Sequence, residues 1–189
     1  MSEEKKWLGT EYLKNGNSRQ KLCYAVISET MLIERLAEFQ PLVVGTIPIG
    51  IDIPGSDLDV VCGTDDLHKV RRSVRRYFSH YPAFTESLNE NVYVAGFEYK
   101  GLPVEVYAEC RASFLQNGYR HMVVEDRILR LAGEEFRMKI VGLKLDGLKT
   151  EPAFGILLGL EEPYSALLVL ADMPDVALSE FIRENVCFV

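Results

Sequence analysis

The sequence predicts an α+β fold, with a small mixed or antiparallel sheet, flanking helices and a helical C-terminal half. Three observations support this class. A helical pattern precedes a loop rich in glycine and proline, short β-like segments continue from that loop to about residue 110, and helical spacing dominates beyond it. Because no stretch has the composition of a linker, we expect one compact unit, with a core at about 17–110 and a helical subdomain at about 111–189 packed on it.

Each predicted element follows from its apolar spacing and its flanking residues. Asn17 or Ser18 suits the start of the first helix, and Pro41 cannot continue it. Pro152 and Pro163 lie where the first turn of a helix tolerates proline. In chain order the predicted elements are helix 17–39, strands 42–44 and 57–62, helix 64–81, strands 84–88, 92–99 and 102–108, and helices 119–132, 134–148, 153–160, 164–171 and 176–184.

Composition and charge narrow the class of protein. The chain is 48% hydrophobic and 26% charged, which is typical of an ordinary soluble domain, and no apolar run reaches membrane-spanning length. The stretch MSEEKKWLG lacks the apolar segment of a signal peptide, so none is expected. A formal charge of −7 argues against a nucleic-acid partner. We therefore expect a cytoplasmic protein. Its four widely spaced cysteines are expected to be reduced thiols: Cys23, Cys62, Cys110 and Cys187.

Two aspartates interrupt an otherwise apolar strand. Asp57 and Asp59 are two residues apart, so both side chains project from the same face, while Leu58 and Val60 point to the other. Two carboxylates on one face repel each other unless a cation lies between them. Mg²⁺ binds to one or two carboxylates together with substrate phosphate oxygens, so the pattern indicates phosphate chemistry. Alternatively, both aspartates are turn residues at the start of a strand.

The loop before these aspartates has features of a phosphate-binding segment. Gly45 ends a strand and is followed by the hydroxyl of Thr46, and Gly50 and Ser56 follow within the loop. A glycine followed by a hydroxyl residue presents backbone N–H groups and a hydroxyl to phosphate oxygens. The loop then returns the chain beside its starting point. We therefore expect these four residues to bind phosphate next to the two aspartates.

The loop and the strand after it resemble the nucleotidyltransferase superfamily, the DNA-polymerase-β-like minimal fold. The motif of that family is a glycine followed by Ser or Thr, a second glycine, and Ser-Asp-apolar-Asp on the next strand. Here residues 45–46 read Gly-Thr, residue 50 is glycine and residues 56–59 read Ser-Asp-Leu-Asp, with the spacing of the family. The resemblance covers roughly residues 42–108 by motif.

Two departures from the motif are informative. Thr46 stands where many members have serine, and Pro48-Ile49 stand where many have a basic residue before the second glycine. This apolar loop looks more like that of the GrpB-like proteins and similar bacterial families of unknown function. The departure implies a triphosphate affinity that is weak or supplied from elsewhere in the chain.

The resemblance implies a third carboxylate on a later strand, next to the strand of the two aspartates. Glu105 matches, since it lies between the apolar residues Val104 and Val106. Its alternative interpretation is an ordinary solvent-facing strand residue. Glu109 competes for the role from the end of the strand, and Glu98 is a further candidate on the neighbouring strand.

The function that the resemblance implies is nucleotidyl transfer. Asp57 and Asp59 would hold Mg²⁺ (or Mn²⁺) against the triphosphate of an NTP, and Glu105 would complete a second metal site and act as base. The NMP would pass to a small-molecule or protein acceptor. Two alternatives remain: a non-catalytic nucleotide- or partner-binding member of the same fold, and a structural partner of another protein.

Other polar residues have a more ordinary interpretation. The stretch Asn15–Lys21 places polar and basic groups at a helix N-terminus, which suits an anion, but helix capping is the favoured interpretation. His121 is expected to be structural, and Glu151 to be an acid at a helix N-terminus. The basic residues of the C-terminal half are expected to be solvated helix charges: Arg120, Arg127, Arg130, Lys139, Lys144 and Lys149.

Overall fold

The α+β class is confirmed by a computed structural model that describes residues 3–186. Five strands form one mixed sheet, helices flank it, and the C-terminal half is helical. Cys187 lies outside the described residues.

The strands and helices lie close to the predicted bounds. The strands are β1 Leu42–Val44, β2 Leu58–Gly63, β3 Thr85–Leu88, β4 Val92–Tyr99 and β5 Leu102–Glu109. The helices are α1 Glu11–Lys14, α2 Ser18–Thr30, α3 Leu32–Arg35, α4 Thr46–Ile49, α5 Leu67–Phe78, α6 Asn117–Ala132, α7 Glu134–Leu145, α8 Thr150–Leu158, α9 Pro163–Ala171 and α10 Asp175–Asn185. Three 3₁₀ turns lie at Glu3–Leu8, Ala37–Phe39 and Ser113–Leu115.

The first long helix begins as predicted but does not continue to its predicted end. At its start, the Asn17 side chain accepts a hydrogen bond from the Gln20 N–H, and the Gln20 side chain accepts one from the Asn17 N–H. At its end, the buried Thr30 hydroxyl donates to the Val26 carbonyl, and Met31 adopts a left-handed conformation with φ of 53°. A left-handed residue redirects the chain, so the segment is divided into α2, α3 and a 3₁₀ turn.

The strand order, β1-β2-β5-β4-β3, places the aspartate strand next to β5. Strands β2 and β5 are parallel, whereas the other neighbouring pairs are antiparallel. Lys100 and Gly101, both with positive φ, form the tight turn between β4 and β5. Glu105 therefore lies on the strand that adjoins β2, as expected from the sequence.

One face of the sheet is buried in the main apolar core. Leu58 and Val60 of β2 and Val104 of β5 point into it and are almost completely inaccessible to solvent. Apolar residues of α2 and α5 complete this core, including Val26 and Val74. Because side chains alternate along a strand, the residues between these point to the opposite, half-buried face.

The described residues fall into two units, one of residues 3–50 and 55–119 and the other of residues 51–54 and 120–186. The second unit has its own apolar core, in which the rings of Phe136 and Phe154 lie 5.7 Å apart between centroids. The predicted division near residue 110, with the helical part packed on the sheet, stays a prediction. Within the described residues no single helix has the length and apolarity to cross a membrane, although the bent pair α8 and α9 passes that test together by length and composition.

Candidate functional site

The acidic residues of β2 and β5 lie on the same face of the sheet. Asp59 is the register partner of Glu105 across the parallel pair, so the two side chains project side by side. Asp57 comes one residue before the start of β2. All three are half-buried, whereas Leu58 between the aspartates is fully buried on the other face. This alternation is the one that the sequence predicts.

Gly45 allows the chain to pass directly under Asp59. Its φ is +81°, a conformation that other residues rarely adopt, and it follows Val44, the register partner of Asp59. A Cβ at this position would collide with the Asp59 carboxylate and lie 3.1 Å from its Cγ. A glycine is therefore needed for two reasons, the backbone conformation and the close approach of the carboxylate.

The segment between the two glycines is a short helix instead of an open loop. Thr46 begins α4, and Gly50 ends it with φ of +69°. The Gln20 side chain donates hydrogen bonds of 3.0 Å to the carbonyls of Ile47 and Pro48. Ile49, at the position that is basic in many members of the superfamily that the loop resembles, is only 4% exposed. This position therefore presents an apolar, packed side chain and no charge to a phosphate.

Burial and a neighbouring charge act together on Glu105. Its pKa is raised, first because it is half-buried and then because the Asp57 carboxylate repels its charged form. Asp57 and Glu105 are therefore close enough to interact electrostatically. A cation between them would favour the ionised form of both.

The carboxylates fit a magnesium ion by their chemistry. Oxygen ligands are the ones that Mg²⁺ prefers, and it needs only one or two carboxylates when phosphates and waters supply the others. Across residues 3–186, no group of three or more His, Cys, Asp or Glu side chains is arranged to hold a metal ion. Asp57, Asp59 and Glu105 as a three-carboxylate metal centre therefore stays a prediction.

The competing acids have other surroundings. The Glu109 carboxylate accepts a hydrogen bond of 3.2 Å from Tyr107 and lies 3.6 Å from Arg111. Glu98 is exposed and is the register partner of Pro103, away from β2. In contrast, the β4 partner of Glu105 is Gly96, which adds no side chain beside the carboxylate. These surroundings favour Glu105 over both alternatives.

Arg19 is a residue that the sequence interpretation missed. The stretch around it caps α2 as expected, but the Arg19 side chain also extends to the loop, where Nη2 donates a hydrogen bond of 2.6 Å to the Ser56 carbonyl. Ser56 directly precedes Asp57 in the sequence. The sequence did indicate an anion at the helix N-terminus formed by this stretch, but capping was favoured because a basic residue in the first turn of a helix is too common to identify a site.

A second group of titratable residues lies in the helical unit, at His121, Glu125, Lys144 and Glu151. The His121 ring nitrogens lie 3.3 Å from the Glu151 carboxylate and 2.9 Å from the Tyr164 carbonyl. Burial lowers the pKa of His121, but these hydrogen bonds outweigh that effect and its pKa is raised. The expectation that His121 is structural agrees with this packing.

Glu125 and Lys144 of this group are also buried. Glu125 is 3% exposed, and burial followed by the charge of Glu151 raises its pKa to about 8. The Lys144 ammonium donates a hydrogen bond of 2.6 Å to the Ile51 carbonyl. The expectation that Lys144 is a solvated helix charge is therefore wrong, because the residue is only 5% exposed and its ammonium is bound to a carbonyl of the loop before Asp57.

The comparisons with known proteins give a family and one solved structure. The chain matches the model of a family described as a domain of unknown function, DUF4269, over residues 25–170. No curated protein matches it significantly. It is similar to a chain from "Structure and function of the polymerase core of TRAMP, a RNA surveillance complex", with 12% identity and a TM-score of 0.47. That similarity covers 90% of this chain, which spans 58% of the length of the other.

Proposed function

Because the chain belongs to the DUF4269 family, a domain of unknown function, we propose a function from its candidate site. The protein is a Mg²⁺-dependent nucleotidyltransferase that moves an NMP from an NTP to a small-molecule or protein acceptor. The observation that carries the proposal is the pairing of Asp59 with Glu105 in register, with the charge of Asp57 acting on Glu105. The two aspartates come from one segment of the chain, and the register brings an acid of a distant segment beside them on the same face.

The residues have separate roles in this proposal. Asp57 and Asp59 hold Mg²⁺, which supplies charge neutralisation for the triphosphate and for the oxygens of the displacement. Glu105, beside Asp59 on the neighbouring strand, accepts the proton of the acceptor hydroxyl. Gly45 keeps the chain clear of the Asp59 carboxylate, so that the carboxylate retains its position. Gly45, Thr46, Gly50 and Ser56 line the phosphate side.

The proposed activity is tested by transfer from labelled ATP, GTP, CTP or UTP to a library of small molecules and proteins. We expect Mg²⁺-dependent transfer with release of pyrophosphate. Asp57→Asn and Glu105→Gln each lower the rate on the order of 100-fold, because the first weakens Mg²⁺ binding and the second removes the proton acceptor. Glu98→Gln is the matched control, since this exposed acid lies on the neighbouring strand and its removal leaves the rate unchanged.

Two results would contradict the assignment. One is a transfer rate that stays at the wild-type level in both single variants, Asp57→Asn and Glu105→Gln. The other is a loss of activity in Glu98→Gln equal to the loss in the site variants.

A second candidate function is nucleotide binding without turnover. The observation that favours it is the buried Ile49, which leaves α4 without a cation for the triphosphate. This function predicts that Mg²⁺ and an NTP stabilise the protein against heat, that Asp57→Asn removes the stabilisation, and that no acceptor is labelled.

A further inference from the structure

Arg19 lies where a positive charge is needed beside the candidate site. Its guanidinium is bound to the Ser56 carbonyl, one residue before Asp57, and this contact joins α2 to the end of the loop. Gln20, the next residue, joins the same helix to the carbonyls of Ile47 and Pro48. The first turn of α2 is therefore hydrogen-bonded to the loop between Gly45 and Asp57 near both ends of that loop.

One buried N–H donor of the Arg19 guanidinium, the Nε, has no hydrogen-bond acceptor in the part of the chain that the structure describes. Buried donors are nearly always paired, since an unpaired one loses its water without a replacement. Arginine has five N–H donors in a planar fork that matches phosphate oxygens. Because the Nε is closed to solvent while the Arg19 side chain as a whole is only half-buried, the guanidinium has to turn outward to bring the Nε onto a phosphate oxygen of a ligand, which then supplies the missing acceptor.

The packing of α4 explains why a cation from α2 would be required. The position before Gly50, which is basic in many related proteins, is occupied by the buried Ile49. The carboxylates of Asp57 and Glu105 also repel a polyphosphate unless positive charge offsets them. Mg²⁺ supplies part of this charge in the proposed function, and a fixed side chain would supply the remainder.

We propose that Arg19 binds the polyphosphate of the nucleotide, in place of the basic residue that the loop lacks. The inference rests on the proposed function for the identity of the ligand, but its geometry stands on Arg19, Ser56 and the unpaired Nε alone. Arg19 is a binding residue in this proposal, and its contact with Ser56 orients the guanidinium.

The test is calorimetric titration of inorganic tripolyphosphate into the full chain, without and with Mg²⁺. Arg19→Gln removes the charge but keeps an amide that reaches toward the Ser56 carbonyl, and we expect it to weaken binding about tenfold. Arg19→Lys keeps the charge but loses the Nε donor and the planar fork, so we expect its affinity to lie between that of the wild type and that of Arg19→Gln. Arg72→Gln is the control, because Arg72 is an exposed arginine of α5 with 68% of its side chain accessible. Arg72→Gln removes the same charge from α5, which packs on the core side of the sheet, and we expect it to leave binding unchanged.

A purely structural role for Arg19 predicts a different pattern. In that case Arg19→Gln and Arg19→Lys lower the thermal midpoint alike and affect tripolyphosphate binding equally. That pattern, or wild-type affinity in Arg19→Gln, would overturn the proposal, and so would a wild-type chain that binds no tripolyphosphate. If binding of tripolyphosphate and of an NTP depends on the charge of Arg19 while no NMP is transferred, the Arg19 proposal is supported and the proposed activity fails.

Discussion

At the scale of single residues, Gly45 shows how closely the backbone and the acids are fitted together. Its positive φ and the carboxylate of Asp59 against its α-carbon both exclude a side chain. Gly133 offers a comparison, because it has a similar φ of +87° but no atom within 4 Å of the position that a Cβ would take. A comparison of the two glycines therefore separates the cost of backbone strain from the cost of a collision with Asp59.

We expect Gly45→Ala to destabilise the protein more than Gly133→Ala. Strain from a positive φ costs about 1–3 kcal/mol in either variant, and the collision with Asp59 adds about 1–3 kcal/mol at Gly45 alone. Urea denaturation of both variants and the wild type measures the free energies of unfolding. Equal losses in the two variants would show that Asp59 does not pack against Gly45.

At the scale of elements, the buried carboxyl group of Glu125 on α6 interacts electrostatically with charged groups on two other helices. Glu125 lies among His121 of α6, Lys144 of α7 and Glu151 of α8. Burial and the charge of Glu151 raise its pKa to about 8, and the opposite charges of His121 and Lys144 only partly offset this. The neutral form of Glu125 therefore prevails in the folded chain up to a higher pH than in the unfolded chain.

The stability of the protein should depend on pH through Glu125. Because its folded-state pKa is raised, the stability that it contributes is complete below its ordinary pKa near 4.5 and is lost as the pH rises through about 8. The advantage of Glu125→Gln over the wild type should grow from pH 5 to pH 8, by at most about 1.4 kcal/mol per pH unit, and then level off. Thermal or urea unfolding at several pH values measures it.

The control for this pH series is Glu135→Gln, which removes an exposed acid from α7. Its stability curve should run parallel to that of the wild type. A parallel curve for Glu125→Gln as well would contradict the raised pKa of Glu125.

At the scale of the whole molecule, the local patterns predicted the fold well because the helices and strands are short and recognisable residues mark their ends. The alternation in β2 and β5 and the prolines in the first turns of α8 and α9 placed strands and helices within a few residues. The break at Met31 was missed because a left-handed methionine has no sequence signature, unlike a glycine.

The sequence identified the acids of the candidate site but not the cations or the buried network. Asp57, Asp59 and Glu105 stand out because acids in apolar strands are unusual. Arg19 and Lys144 look like ordinary helix charges, and their contacts join segments 37 and 93 residues apart. Such long-range pairing is a property of the tertiary structure, so the local pattern cannot contain it.

The most direct test of the central claim is a crystal structure of the protein with Mn²⁺ and a non-hydrolysable NTP analogue. Anomalous scattering locates Mn²⁺, which takes oxygen ligands as Mg²⁺ does. The account predicts a manganese peak bound by Asp57 and Asp59, near Glu105, with the triphosphate between it and Arg19. A bound triphosphate with no manganese at these carboxylates, or one held at another surface, would contradict the account.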